Sequence, residues 1–164
     1  MSEALPPFQR FLDAHREVVW RFLVSAVGAT EAEDCFQETF IAALRAYPRL
    51  RGTRERHNLR AWVLTIAHRK SIDAHRARAR RALPVEDPAQ LQRGRDAAPA
   101  QEPRDGALWS AVGELPARQR SAVVLRYVAD LPHRDIAAAI GCSEEAARRS
   151  LHEGLTKLRG TVNA

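Results

Sequence analysis

Long apolar runs, paired cysteines and strand-like alternation are all scarce in this sequence of 164 residues. No apolar run approaches the roughly 20 residues that span a bilayer, and no signal peptide precedes the first predicted helix, so we expect a cytoplasmic protein without membrane insertion. Cys35 and Cys142 lack CxxC spacing and nearby histidine pairs, which predicts two reduced thiols and no metal site. Alternation of β-branched and polar residues is missing, and this favours an all-α fold.

Side chains that could form a catalytic centre are also dispersed. Asp34, Glu38 and Asp73 stand apart among basic and apolar residues, without a nucleophile or a metal-ligand set beside them. We therefore predict that the chain is not an enzyme and uses no cofactor.

Positive charge is concentrated in one segment. The net charge is +6, and residues 51–81 contain ten Lys and Arg against two Asp and Glu. Local positive charge is typical of proteins that bind nucleic acid or another polyanion. A solvated helix end has the same composition, so the charge alone leaves both interpretations open.

Residues 1–82 predict a domain of three helices. The first helix ends at Gly28, a T-x-x-E capping box of Thr30 and Glu33 starts the second, and Pro48 stops it. After a basic loop over residues 49–58, the third helix runs from Leu59 to Arg81, apolar in its first half and cationic in its second.

The second helix has two distinct faces. Its predicted buried face consists of Cys35, Phe36, Thr39, Phe40, Ala43, Leu44 and Tyr47. A different face carries Asp34, Gln37, Glu38 and Ile41 at positions i, i+3, i+4 and i+7. This polar row is either simply solvated or a docking surface for a partner helix.

Composition then separates a linker from a second helical domain. Residues 83–106 are rich in Pro, Gly, Ala and Gln with few large apolar residues, which predicts a flexible linker. Such a linker permits a closed form in which the two domains cover each other. In residues 107–164, a short helix from His133 to Ile140, the turn glycine Gly141 and a last helix capped by Ser143 form a helix-turn-helix pattern. An ordinary helical hairpin uses the same turn chemistry.

Three runs, in this order, resemble the extracytoplasmic-function (ECF) sigma factors, the smallest alternative initiation subunits of bacterial RNA polymerase. Residues 32–41 resemble the family's core-binding motif, and residues 59–73 with the arginines that follow resemble its promoter-melting segment. Residues 115–127 and 135–143 resemble its fourth region. The resemblance covers both predicted domains and omits only the linker and the termini.

The resemblance implies an alternative sigma factor that directs core RNA polymerase to specific promoters and assists melting. Its partners would be the clamp of the largest subunit, the flap of the second subunit and promoter DNA, with an anti-sigma factor left open. The clamp would contact Asp34, Gln37, Glu38 and Ile41. The minus-ten element would contact Arg51, Arg54, Asn58, Arg60, Arg69, Lys70, Asp73, Arg76 and Arg80. The minus-thirty-five element would contact Ser143, Glu144, Glu145, Arg148, Arg149, His152 and Lys157.

Recognition-helix positions that are often basic in the family are occupied here by Ser150, Glu153 and Leu155. Fewer phosphate contacts predict weaker and less salt-sensitive upstream binding. The alternative hypothesis is a stand-alone helix-turn-helix regulator whose first domain senses a ligand or dimerises. Against it, the densest positive charge lies in the first domain, where a sensor would present an apolar pocket.

Overall fold

The computed structural model describes residues 4–82 and 106–162, with the side chains of residues 4–82 and 106–161. These ranges contain helices and no strand, in agreement with the predicted all-α fold. The α-helices there are α1 (Phe8–Val27), α2 (Ala29–Ala46), α3 (Leu59–Ala82), α4 (Gly106–Glu114), α5 (Ala117–Tyr127), α6 (His133–Ile140) and α7 (Glu144–Val162). The predicted linker lies outside the described residues except for Gly106, which is the first residue of α4 instead of the end of the linker.

The first three helices form a bundle around a cluster of aromatic rings. The fully buried Phe11 of α1 lies at its centre. Its ring centroid is 5.1 Å from that of Tyr47, 5.7 Å from that of Trp62 and 6.3 Å from that of Phe40. Aromatic pairs at such distances contribute beyond their buried area. The cluster therefore fixes the first half of α3 against α1 and α2.

The corner between α1 and α2 consists of one residue, Gly28, with φ 83° and ψ 161°. Its N–H donates to the carbonyl of Val24, and its own carbonyl accepts from the N–H of Ala32. Glycine adopts this positive φ without steric cost, so the chain turns before it reaches Thr30. No described side chain caps α2. The predicted capping box is therefore wrong, because Thr30 already lies within the helix.

Leu44 is the second correction in this bundle, since its side chain is 54% exposed instead of buried. The α-helix also ends before Pro48, as predicted, but the chain continues as a 3-10 turn, Tyr47–Leu50, with a second such turn at Glu55–His57. The predicted basic loop is thus partly helical.

The remaining helices form a second bundle in which α7 packs against α4, α5 and α6. Gly141 adopts the left-handed conformation, with φ 71° and ψ 44°, and the N–H of Cys142 donates to the carbonyl of Ala137 over 3.0 Å. The hydroxyl of Ser143 accepts from the N–H of Ala146 over 3.1 Å. Both predicted caps of the helix-turn-helix are confirmed.

The two bundles lie against each other. Helix α3 packs on α6, and α1 packs on α5. A groove of about 400 Å³ runs between them, lined by Phe22, Ile72 and His75 on one side and by Arg120 and Val124 on the other.

Candidate functional site

The polar row of α2 lies at the surface as the sequence predicted. Asp34, Gln37 and Glu38 are exposed, and Ile41 is 50% exposed. The exposed Leu44, three residues after Ile41, extends the row, and we call these five residues the α2 row. Sequence reasoning missed Leu44 by assigning it to the buried face, although its spacing from Ile41 carried the signal. Exposed aliphatic side chains beside carboxylates are typical of a surface that a partner covers.

An ion pair joins this row to α3. Nζ of Lys70 lies 3.4 Å from Oε2 of Glu38. Next to the pair, burial and then the charge of Glu38 raise the pKa of Cys35 to about 11. The thiol therefore stays protonated at neutral pH, which makes it a poor nucleophile. This agrees with the prediction of a reduced and partly buried side chain.

A row of charged side chains runs along the exposed face of α3. Arg69, Asp73, Arg76 and Arg80 follow one another at i, i+4, i+7 and i+11, and all four are exposed. This spacing keeps them within a narrow stripe of the helix. We call these four residues the α3 row. Lys70 is half-buried beside the row, turned towards Glu38.

Two other residues predicted for the same DNA element lie elsewhere. Asn58 accepts a hydrogen bond from the N–H of Ala61 over 3.0 Å, and so caps α3, while its amide donates to Asp135 over 2.6 Å. Arg60 lies about half a turn around the helix from Arg69. Its guanidinium donates twice to the carbonyl of Ala129, from Nε at 3.0 Å and Nη2 at 2.7 Å.

The segment before α3 places the last two predicted contacts of this set at the surface. Arg51 and Arg54 are exposed on either side of Thr53, where Gly52 takes a positive φ of 85°. They therefore lie on the approach to α3 and not on the helix itself.

Histidines behind the α3 row do not add to its charge. His68 is 7% exposed, and its Nδ1 has no hydrogen-bond partner among the described residues. Burial, with Arg69 and His75 nearby, lowers the pKa of His68 to about 4. His75 donates from Nε2 to the carbonyl of Ala26, and burial followed by the charge of Arg120 lowers its pKa as well. The sequence analysis assigned no role to His68, although it is a buried residue at the edge of the apolar stripe of α3.

Helix α7 and its cap present all of the predicted minus-thirty-five contacts to solvent. The exposed set is Ser143, Glu144, Glu145, Arg148, Arg149, His152 and Lys157. Two arginines are already paired within the helix, since Arg148 lies 2.7 Å from Glu144 and Arg149 lies 3.5 Å from Glu145.

Two of the three departures in α7 are buried or packed against the core. Ser150 is 8% exposed and Leu155 packs against the core. The third, Glu153, accepts a hydrogen bond from Gln119 over 2.9 Å. Only Glu153 remains exposed, so the prediction of fewer phosphate contacts and weaker salt dependence now rests on this one carboxylate.

Residues 4–82 and 106–162 include no helix long and apolar enough to cross a membrane. Over the same part of the chain, no three His, Cys, Asp or Glu side chains are grouped as a metal site would require.

Comparison with known proteins bears directly on these surfaces. The family description "Sigma-70 region 2" matches residues 11–81, and "Sigma-70, region 4" matches residues 105–158. The ECF RNA polymerase sigma factor SigD of Mycobacterium tuberculosis is 35% identical over 163 residues, which cover 93% of this chain and 76% of that protein. The chain belongs to the ECF sigma factors. SigL of the same species is 30% identical over 157 residues, covering 92% of this chain and 85% of its own length.

Solved structures of sigma factors share the fold. The sigma factor RpoE of Bartonella quintana, in complex with the anti-sigma factor NepR, superposes with a TM-score of 0.77 at 21% identity and covers 96% of this chain and 97% of its own. CnrH, in complex with the cytosolic domain of CnrY, gives 0.67 at 21% identity, covering 95% and 87%.

Membership of the ECF sigma factors settles the broad function. This sigma factor directs RNA polymerase to promoters, and α4–α7 belong to its fourth region. The hypothesis of a stand-alone helix-turn-helix regulator is set aside, because the matched first region is that of a polymerase subunit and not of a sensor domain.

Proposed function

We propose that this sigma factor divides promoter recognition among three surfaces: the α2 row docks on the polymerase clamp, the α3 row opens the minus-ten element, and α7 reads the minus-thirty-five element. The observation that carries this assignment is the exposed α3 row, which presents three arginines and one carboxylate on a single helical stripe. The domain limits in this proposal are residues 1–82, 83–105 and 106–164, with the middle segment passing through the polymerase.

Docking on the clamp rests on the mixed chemistry of α2. Asp34, Gln37 and Glu38 offer acceptors that can select a basic partner, while Ile41 and Leu44 offer apolar area. Exposed charges of this kind act mainly on orientation and association rate, and the aliphatic pair supplies the buried contact. The ion pair between Glu38 and Lys70 supports this arrangement, because it holds the polar face of α2 next to α3.

Melting needs cationic and polar groups at the separating strands. Extruding a base from the stack costs a few kcal/mol, which contacts to the single strand offset. Arg69, Arg76 and Arg80 provide cations for the backbone, and Asp73 provides an acceptor for a base edge. Asn58 and Arg60 join them only after they leave Asp135 and Ala129. No reaction of the chain itself is required.

Upstream reading requires the arginines of α7 to exchange partners. Arg148 and Arg149 are held by Glu144 and Glu145, four residues earlier in each case. In the major groove an arginine can bind guanine through two hydrogen bonds, and a freed glutamate can accept from cytosine N4. The two ion pairs are solvent-exposed and therefore weak, so the exchange is inexpensive.

Further partners also belong to the proposal. The flap of the second polymerase subunit would hold the α4–α7 bundle, and the protein would act in the cytoplasm. The solved complex of RpoE with NepR concerns a related fold. By analogy, an anti-sigma factor would silence this chain.

The deciding experiment measures binding to a labelled promoter fragment by this protein alone, by core polymerase alone, and by both together. We expect a promoter-specific complex only with both. Tight specific binding by the protein alone would overturn the proposal, because the α3 row and α7 would then act without the polymerase.

The docking surface is tested by Asp34→Arg combined with Gln37→Ala. We expect weaker binding to core polymerase with unchanged helix content. The matched control is Asp13→Arg with Gln9→Ala, since these residues form an exposed acid–amide pair on α1. Equal core affinity of the two double variants would show that α2 is not the docking helix.

Recognition by α7 is tested by Arg148→Ala, which we expect to weaken binding to the cognate upstream element by about 1–3 kcal/mol. A loss of the same size on all DNA sequences would instead identify a phosphate contact.

A further inference from the structure

The contact between the two bundles uses residues that the proposed function assigns to DNA. Asn58 and Arg60 belong to the minus-ten set, yet both are occupied by the fourth region. Asn58 donates to Asp135 over 2.6 Å, and Arg60 donates twice to the carbonyl of Ala129. A single strand cannot take the same donors while these bonds persist.

Both bonds are placed where helix ends strengthen them. Asp135 lies in the first turn of α6 and Asn58 caps α3, so the carboxylate faces the positive ends of two helices. Its side chain is only 12% exposed. Arg60 meets a carbonyl just beyond the end of α5, where the helix dipole favours a cation. These are specific, partly buried polar contacts.

Promoter geometry requires these contacts to break. A compact chain of 164 residues has a radius of gyration of about 15 Å and hence a diameter of about 40 Å. Elements centred about 25 base pairs apart on B-DNA are separated by about 85 Å. The 23 residues between α3 and α4 could reach across at most about 80 Å. One molecule can therefore contact both elements only with its bundles apart.

We propose that Asn58–Asp135 and Arg60–Ala129 form a latch that holds the free sigma factor closed, and that the latch and minus-ten binding exclude each other. The α2 row and α7 are exposed in the closed form. Polymerase can therefore dock first and separate the bundles afterwards. The inhibited step is engagement of the minus-ten strand and not recognition of the polymerase. This function of the latch rests on the proposed function above.

The latch offers a reciprocal test that needs neither polymerase nor DNA. Asn58→Asp retains an acceptor for the N–H of Ala61 but sets a carboxylate against Asp135. We expect small-angle scattering of the full chain to show its radius of gyration rising from about 15 Å to above about 20 Å. Adding Asp135→Asn exchanges the two groups, and should restore the wild-type value. Equal radii for all three proteins, or an expanded wild type, would overturn the latch.

The functional consequence is measured with Asp135→Ala, since Asp135 is outside the DNA-binding set. The matched control is Glu114→Ala, which removes an exposed carboxylate at the end of α4. On a fragment carrying only the minus-ten element, with core polymerase, we expect Asp135→Ala to bind about three- to tenfold more tightly than wild type or control. Unchanged binding would show that the contact does not inhibit.

The proposed function and the latch can fail separately. If wild-type protein and polymerase form no promoter complex at all, the proposed function fails. The scattering result then still decides whether the bundles are held together by these residues.

Discussion

The two bundles solve the problem of packing in different ways. The α1–α3 bundle interlocks large rings around Phe11, whereas the α4–α7 bundle relies on Val, Leu, Ile and Ala and on close helix approach. At Gly154, a Cβ would come within 2.9 Å of Cγ2 of Val123. Large rings thus fill the space between the helices of the first bundle, while the second depends on having no side chain at one crossing.

The largest effect that sharpens this comparison is expected for Phe11→Ala. Removing the central ring leaves a cavity and should lower the free energy of unfolding of the first bundle by about 3–5 kcal/mol. Hydrogen exchange measured by segment should show lost protection in α1–α3 with less change in α5–α7. Leu125→Ala, at a fully buried site of the second bundle, should give the reverse pattern. Identical patterns for both variants would mean that the bundles unfold as one unit.

The next effect concerns His68, a buried titratable group of the first bundle. Its pKa is about 4 in the folded state and 6.5 as a free side chain, so the unfolded chain takes up a proton first as the pH falls. The free energy of unfolding should therefore drop by about 2 kcal/mol between pH 7 and pH 5 from this group alone. Denaturant titration of His68→Leu at both pH values should show a smaller drop, and an unaltered drop would assign the effect elsewhere.

The close helix approach of the second bundle is tested by Gly154→Ala. Overpacking against Val123 costs about 1–3 kcal/mol, and the helix preference of alanine offsets about 1 kcal/mol of this. We therefore expect the free energy of unfolding to fall by about 1 kcal/mol. In a protein that already carries Val123→Ala, the same substitution at Gly154 should cost less. Gly113→Ala is the control, since its added Cβ would contact no other part of the described structure within 4 Å beyond the neighbouring backbone of its own helix, and it should stabilise the protein. Stabilisation by both would refute the tight crossing.

The smallest effect separates a real helix cap from a false one. Ser143→Ala should cost about 1 kcal/mol, because the hydroxyl accepts a hydrogen bond from the N–H of Ala146 at the start of α7. Thr30→Ala should change stability little, since no described side chain caps α2. Thermal melts of both variants suffice, and an equal loss would restore the capping box.

Local chemistry made part of this fold predictable. Gly141 and Ser143 lie within four residues of the groups they cap, so the local sequence pattern contains the whole interaction. The capping box failed because Gly28, two residues earlier, turns the chain first. Residues at the edge of an apolar stripe were the other errors. Leu44 is exposed where burial was expected, and Ser150 is buried where exposure was expected, because periodicity alone does not determine how wide a buried face is.

The candidate site was predictable where it lies on one helix. The α3 row and the exposed face of α2 follow from spacing within a single element. The pairing of Asn58 with Asp135 joins residues 77 positions apart in separate bundles. Neither residue has a local signal for the other, since the contact depends on how two independently formed bundles meet.

The corner at Gly28 sets a practical limit on altering this molecule. The last hydrogen bond of one helix uses the N–H of Gly28 and the first of the next uses its carbonyl, so no spare residue exists there. A fluorophore tag, a protease site or a split point inserted between α1 and α2 would change the angle between two arms whose side chains share a core. Fusion partners and labels therefore belong elsewhere, and a library of random insertions should be depleted at this corner among the clones that still support transcription.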